Sequence, residues 1–521
     1  MKSKCMFTWV PVLFSAILII AFVFSGCTNP SDSGGSNSGG LDAGGPDAGS
    51  VPVGGQYWAR SNSGGHAGSN FNSTAVDSSG NVYAAGYQEN TGIFSYGAGV
   101  TAQGTADTSR NVLLVKYDSS GTALWARTVI AGKSDSEFLS VAVDASGNVY
   151  AAGYQDGVKG GGFDYGNGVL ALHARSIGRD VLLVKYDPSG TALWARTLTA
   201  GSDGTRFYSV AVDASGNVYA AGLQGNDNIY YYGETVAAQG VSKYGYNAVL
   251  VKYDSNGTAL WAKTANAGDN ESLFNSVAVD NLGNVYVAGY QKGTGSFSYD
   301  EASAQGAYSG QNVLLVKYDS SGTAEWAQTV SAGAGDSVFN SVAIDASGNV
   351  YAAGSQYGAA NFSYGEVSVH GPSSAKNILL VKYGSSGTAK WAQTVTTGPS
   401  SSEFNSVAVD ASGNVYAAGD QGGGIGSFSY GNGVSVGTSL GRQNVLLVKY
   451  DPSGAALWGQ SVKKGGAESQ FNSTTADTNG NVYAAGYQFA PGVYTYGPGM
   501  EASGTYGADN VVLVKYAQNG N

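Results

Sequence analysis

Cysteine is almost missing from this chain. Only Cys5 and Cys27 occur among 521 residues, both near the N-terminus. A fold built from the rest uses no disulfide and no thiolate metal site. Histidine is as scarce: His66, His173 and His370 are scattered and suggest no metal cluster. There are only 10 prolines, and just 12% of residues are charged. No basic run exists, and the formal net charge is −11, so binding to phosphate backbones is not expected. What is abundant is glycine (80) and tyrosine (35). The glycines follow no G-X-Y period, which excludes collagen. Short Val, Leu, Tyr and Trp runs separated by Gly/Ser/Asn turns are the mark of an all-β chain.

The first residues read as an address. Lys2 and Lys4 precede an apolar run from Met6 to Phe24, followed by Ser25, Gly26 and Cys27. Charged start, apolar middle and small-residue end make a secretory signal. Phe24-Ser25-Gly26-Cys27 resembles a bacterial lipobox, with Phe24 where Leu is usual. The resemblance implies cleavage before Cys27 and lipid on its sulfur. The competing reading is an uncleaved spanning helix, which the 19-residue run is just long enough to form. Pro11 and the adjoining Ser-Gly-Cys favour the lipobox. Residues 1–26 are thus assigned as signal peptide and 27–55 as a lipidated tether. Residues 28–55 hold nine Gly, five Ser and no Lys or Arg. Such a stretch behaves as a flexible coil with ends about 30 Å apart.

From residue 56 the chain repeats. Val-Asp-Ala-Ser-Gly-Asn-Val-Tyr-Ala-Ala-Gly-Tyr-Gln recurs, placing its Asp at 77, 144, 213, 280, 345, 410 and 477. A second word, Asn-Val-Leu-Leu-Val-Lys-Tyr-Asp, carries Lys116, Lys185, Lys252, Lys317, Lys382, Lys449 and Lys515. A third, Ala-Leu-Trp-Ala-Arg-Thr, supplies Trp125, Trp194, Trp261, Trp326, Trp391 and Trp458. Fixed-period self-similarity signals a repeat architecture. Each repeat reads as four strands; in the first these are Phe71–Val76, Asn81–Tyr87, Asn111–Tyr117 and Thr122–Thr128. Asp-x-x-Gly joins the first to the second and the third to the fourth, as suits a tight turn. Val112 to Val115 are consecutively apolar, as in a strand covered on both faces. A four-residue turn would set Leu114 opposite Trp125. The recurrent lysine is read as packing its stem between sheets, not as catalytic.

The seventh repeat stops before its fourth strand, and the missing word lies at the other end: Gln56-Tyr57-Trp58-Ala59-Arg60-Ser61. The N-terminal segment is expected to complete the last blade. The fold class expected for 56–521 is therefore all-β: a closed seven-bladed β-propeller of four-stranded antiparallel blades. Together these words resemble the SBBP-type bacterial seven-bladed propeller repeat. They are more distantly similar to WD repeats but lack the Gly-His and Trp-Asp words. The resemblance implies fold and extracytoplasmic location, and supplies no catalytic residues. Departures from the repeat are few: Gly384 replaces a turn Asp, and Glu325 and Lys390 replace the Leu before Trp.

Between the second and third strands run segments of 20 to 24 residues, long enough to carry function. Each contains aromatic-x-aromatic, ending in Tyr96, Tyr165, Tyr232, Tyr299, Tyr364, Tyr430 or Tyr496. These tyrosines either form a binding face or plug gaps over the blades. His173, Asn226-Asp227-Asn228, Tyr244 and Tyr246 differ between repeats and are the stronger candidates for specificity. A recurrent glutamine (Gln88, Gln155, Gln224, Gln291, Gln356, Gln421, Gln488) either lines a polar ring or ties down its own loop. One carboxylate per turn is too few for calcium. No nucleophile–base word and no phosphate loop is present. The expectation is a monomeric, non-enzymatic module with no cofactor and no catalytic residue. Lipid at Cys27 would hold it to a bacterial membrane, outer membrane or cell surface, where it binds a protein or carbohydrate. The alternatives are a polysaccharide hydrolase or lyase using loop acids, and a purely structural envelope protein.

Overall fold

The turn words set the local geometry. In the computed structural model, Asp77 Oδ1 accepts the backbone N–H of Ser79 and Asn81 at 2.9 Å each. Its Oδ2 takes Asn81 Nδ2 at 2.8 Å and the Tyr83 hydroxyl at 3.0 Å. The same four bonds recur at Asp144, Asp213, Asp280, Asp345, Asp410 and Asp477. With every lone-pair direction of the carboxylate used, the turn is fixed and the next strand starts in register.

The structure describes residues 57–158, 161–173, 177–201, 204–423, 426–439 and 441–520. The apolar run, Cys27 and the tether lie outside them. Among the described residues every regular element is a strand, and no helix is long and apolar enough to cross a membrane. There are seven four-stranded antiparallel sheets, numbered here 1 to 7 in chain order. Sheet 1 runs Ser69–Val76, Val82–Glu89, Arg110–Tyr117 and Ala123–Arg127, each strand pairing with the next. Sheets 2 to 6 repeat it. Sheet 7 takes Ser469–Ala476, Val482–Phe489 and Asp509–Tyr516 from the chain's end, and Trp58–Ser61 from its beginning. Trp58 stands opposite Lys515, and Ser61 opposite Val512.

The consecutive apolar residues serve two cores at once. Leu113 and Val115 pack with Tyr483 and Leu513 of sheet 7, while Val112 and Leu114 pack with Leu182 and Val184 of sheet 2. Seven such clusters occur, each shared by two sheets, including one between 7 and 1. Backbone bonds tie the same neighbours. Val141 N donates to Ser73 Oγ at 3.1 Å, and Val210, Val277, Val342, Val407 and Thr474 donate in turn to Ser140, Ser209, Ser276, Ser341 and Ser406. Thr74 N of sheet 1 donates to Ser473 Oγ of sheet 7 at 3.0 Å.

The Gly of Ala-Ala-Gly is a steric necessity. The first strand bulges between Phe71 and Ser73, and a Cβ on Gly86 would lie 1.9 Å from the Asn70 carbonyl oxygen. The third and fourth strands also hold a bulge, which corrects the expected register. Lys116, not Leu114, faces Trp125, and Leu114 faces Arg127, because the turn takes five residues, 118–122, and Leu124 is then skipped. The lysine does join neighbouring sheets: Lys116 Nζ donates to the Pro188 carbonyl at 3.3 Å and lies 4.9 Å from the Tyr83 ring centre.

Candidate functional site

The two short turns of each repeat lie at one end of its sheet, here the turn end. The long connections lie at the other, the loop end. Each long connection forms a two-stranded hairpin, such as Ile93–Gly97 with Val100–Gln103. This hairpin decides the fate of the loop tyrosines. Tyr96, Tyr165, Tyr232, Tyr299, Tyr364, Tyr430 and Tyr496 are at most 2% exposed, so they present no binding face. Their hydroxyls donate to Oε1 of Gln88, Gln155, Gln224, Gln291, Gln356, Gln421 and Gln488, over 2.7 to 3.5 Å. The Gln88 amide then donates to the Ala102 carbonyl at 3.2 Å, pinning the hairpin down. An aromatic body with one polar atom is suited to such a buried anchor. Burial raises the phenols of Tyr96, Tyr165, Tyr299, Tyr364, Tyr430 and Tyr496 well above their ordinary range.

His173 is also internal. It is 2% exposed, and its Nδ1 lies 2.5 Å from Asp180 Oδ2. Six sheets place Asn where sheet 2 has Asp180; Asn111 Oδ1, for example, accepts the N–H of Thr105 and Ala106. Those sheets with Gly at the His173 position need it, since a Cβ on Gly104 would meet the Asn111 side chain at 2.4 Å. The His–Asp pair is a paired local replacement inside the core and does not face a ligand. Asn226, Asp227 and Asn228 are exposed on the shoulder of the third hairpin. There the Asn226 carbonyl accepts Asn247 Nδ2 at 2.7 Å, and the Asp227 carbonyl accepts Gln239 Nε2 at 3.3 Å.

Tyr244 and Tyr246 do reach solvent, at 88% and 43% exposure. Tyr244 borders a pocket of about 460 Å³ with Lys243, Asn270, Glu271 and Lys292. Lys292 Nζ pairs with Glu271 at 3.3 Å. Burial foremost raises the phenols of Tyr208 and Tyr290. A second pocket, of about 500 Å³, is lined by Glu89, Asp107, Arg110, Asp135, Tyr154 and Arg179. In it the Arg110 guanidinium lies 4.1 Å from the Tyr87 ring centre and 2.8 Å from Glu137. Arg179 and Arg206 flank the Tyr154 ring at 4.5 and 5.3 Å. The Tyr154 hydroxyl and Asn72 Nδ2 both donate to Glu137, at 2.9 and 2.8 Å.

Elsewhere at the loop end two acids have raised pKa values. Burial foremost pushes Asp420 up to about 6; Glu403 adds to the rise, while Gln443 and Lys376 oppose it. Asp420 and Glu403 are direct cross-strand partners. Glu403 receives Lys376 Nζ at 2.6 Å and Asn340 Nδ2 at 2.9 Å. Asp509 also rises to about 6, through burial first and then Glu468 and Glu89.

Sequence reasoning passed over most of these groups, although a signal was there. Within the otherwise constant second strand, the residue before Gln reads Tyr87, Tyr154, Leu223, Tyr290, Ser355, Asp420 and Tyr487. The residue before the second word's Asn reads Arg110, Arg179, Tyr246, Gln311, Lys376, Gln443 and Asp509. The position facing the first set reads Asn70, Glu137, Arg206, Leu273, Val338, Glu403 and Gln470. The variable positions cluster at the loop end.

No protein-family profile matches the chain. It is 23% identical over 458 residues to an uncharacterised WD repeat-containing protein of Acanthamoeba polyphaga mimivirus, a match covering 73% of this chain and 31% of that protein. The chain thus spans about a third of the length of that relative. A solved structure, the rhamnogalacturonan lyase YesW, aligns at 14% identity over 79% of this chain and 73% of its own. The TM-score is 0.27, too low to argue from. The WD-repeat relative and the recurring four-stranded sheets fit a propeller-type repeat protein.

Proposed function

We propose that the seven sheets close into one seven-bladed propeller of the SBBP type, lipid-anchored through Cys27 outside the cytoplasm. Its loop end binds a protein or glycan without catalysis. Closure is supported by the Thr74–Ser473 bond, the apolar cluster shared by sheets 7 and 1, and the Trp58 strand beside Asp509–Tyr516. The observation that carries the binding reading is the pair of polar, tyrosine-bordered pockets on variable positions of a constant scaffold. Tyrosine and arginine in partly buried polar surroundings are the groups that dominate recognition surfaces. Cys27→Ser should release the protein into the soluble fraction. Retention in membranes with an intact signal would point to the spanning helix instead. The released protein, put to a glycan array and an envelope pull-down, should capture a partner, and Arg110→Ala or Tyr246→Ala should weaken that capture. Silence in both assays would favour a purely structural envelope protein.

A polysaccharide-active hydrolase is the second reading. It rests on Asp420, kept protonated toward neutral pH opposite an ion-paired Glu403, the division of labour that acid–base carboxyl pairs need. Hydrolysis of envelope polysaccharide that Asp420→Asn abolishes would establish it. Absence of any hydrolysis would leave the binding role.

A further inference from the structure

At the turn end the protein carries six copies of one small arrangement, and a seventh that is broken. In each copy a lysine amine lies over a tyrosine ring and donates to a turn carbonyl of the next sheet. The bonds are Lys116 to Pro188, Lys185 to Ser255, Lys252 to Ser320, Lys382 to Pro452, Lys449 to Gln518 and Lys515 to Ser119, over 3.0 to 3.3 Å. The tyrosine ring centres are 4.9 to 5.5 Å from the amines. Six times over, the fold presents a site for a primary ammonium: a π face, a carbonyl, and a turn aspartate close by.

Between sheets 4 and 5 the lysine exchanges the turn carbonyl for a carboxylate of its own sheet. Lys317 Nζ pairs with Glu325 at 2.7 Å and stands 5.7 Å from the Tyr286 ring centre, the longest of the seven. The cause is legible. Glu325 replaces the leucine found at this position in four of the other six copies of the Trp word, and it offers Lys317 a carboxylate. Lys390 and Tyr57, the other departures at this position, offer no carboxylate, and Lys382 and Lys515 there keep their carbonyls. Beside the displaced lysine opens a crevice of about 530 Å³, bordered by Leu282, Tyr286, Lys317, Ile344, Asp345 and Ser385. The Ser385 carbonyl, the acceptor that Lys317 would have reached, holds Trp326 Nε1 at 3.2 Å. Leu282, 82% exposed, occupies a turn position that is Ser or Asn in the other six repeats. It adds an apolar wall suited to an alkyl chain.

We propose that this crevice is a second binding site, distinct from the loop end, and that it takes a primary alkylammonium group from outside the chain. The incoming amine takes the Ser385 carbonyl, which Lys317 gives up for Glu325, at the edge of the Tyr286 ring. Its methylenes lie along Leu282 and Ile344, with Asp280 and Asp345 supplying negative charge nearby. Two sources carry this chemistry, a free diamine and the lysine side chain of a partner peptide.

The test is calorimetric titration of the full chain with 1,5-diaminopentane and with Nα-acetyl-lysine amide, against the Nε-acetylated analogue. Saturable binding of either amine, lost on Nε-acetylation, supports the site, and the tighter of the two identifies the source. Glu325→Leu should return Lys317 to the Ser385 carbonyl and weaken binding about tenfold or more without lowering the melting temperature. The double variant Glu325→Leu/Lys317→Met has no lysine to fill the crevice and should recover binding to within about threefold of the parent. No saturable binding below about 10 mM would overturn the proposal. So would unchanged binding in Glu325→Leu, or a double variant as weak as the single one, which would make Glu325 merely a surface charge.

Discussion

The two ends of each sheet are made from the same strands yet differ in almost every respect. At the turn end the same Asp, Asn and Tyr make the same four bonds in all seven repeats. At the loop end, three positions held by that constant framework change from sheet to sheet. The difference separates two jobs. The turn end sets register and stacking, so a change there is paid for in stability. The loop end is braced from below by the Tyr–Gln clamps, so its surface residues are free to vary for a ligand.

The strongest way to break this division is at the shared strand of sheet 7. Removing residues 57–61 takes away Trp58, 4% exposed, and the last sheet's fourth strand. It should cost more than about 4 kcal/mol, read as a fall in the denaturant midpoint. Gly86→Ala comes next. Its Cβ would meet the Asn70 carbonyl head-on, and the loss should be about 3 kcal/mol by the same measurement. An unchanged midpoint in either variant would remove the claim that constant positions carry the fold.

The third prediction uses pH, because the two ends respond with opposite signs. Burial raises Asp77 and Asp345, but hydrogen bonds from the turn outweigh it, and their carboxyls sit below the ordinary value. At Asp319 the Ser321 hydroxyl is the leading cause of the same lowering. Such acids stabilise the fold above their unfolded pKa, and that contribution is lost as pH falls through the lowered native values. Asp420 does the reverse. Raised to about 6, it favours the fold at low pH, and that help disappears as pH climbs from about 4 through 6. Asp420→Asn should therefore stabilise the protein by about 1–3 kcal/mol at pH 8 and leave it nearly unchanged at pH 4. Melting curves at both pH values check it; an equal effect at both would mean the carboxyl's charge is not what matters.

The smallest effects sharpen the contrast most. Tyr96→Phe leaves Gln88 without a hydroxyl donor in the core. It should cost about 1 kcal/mol while leaving partner capture intact. Tyr246→Ala should do the opposite, with stability held within about 0.5 kcal/mol and capture weakened. If these two readouts were exchanged, the assignment of buried and exposed tyrosines would be wrong.

Much of the architecture was legible in the words themselves. Periodic Asp-x-x-Gly turns and the unbroken Val-Leu-Leu-Val run announced four-stranded sheets covered on both faces, and the displaced Trp word announced the partner of Asp509–Tyr516. The register at Trp125 was not legible, because the two-residue shift from Leu114 to Lys116 keeps every side chain on its expected face. Nor was the fate of Tyr96 and its equivalents. Composition cannot tell a tyrosine whose hydroxyl finds an internal glutamine from one that finds water. For the candidate site, Tyr244 and Tyr246 differ between repeats and are exposed, whereas His173 differs for a reason internal to the core. The groups that were missed, Arg110, Tyr154 and Asp420 among them, sit inside constant words, where repetition draws attention away from the one letter that changes.

Ser69 Oγ accepts the N–H of Val511 across 442 residues of chain. A bond of that span can form only after a very long loop has been closed, so it comes late in folding. The opening strand must wait, unpaired, while six sheets are made after it. The contacts between sheets 7 and 1 therefore carry the largest loop-closure cost in the domain, and they are the ones whose loss leaves the Trp58 strand without a partner.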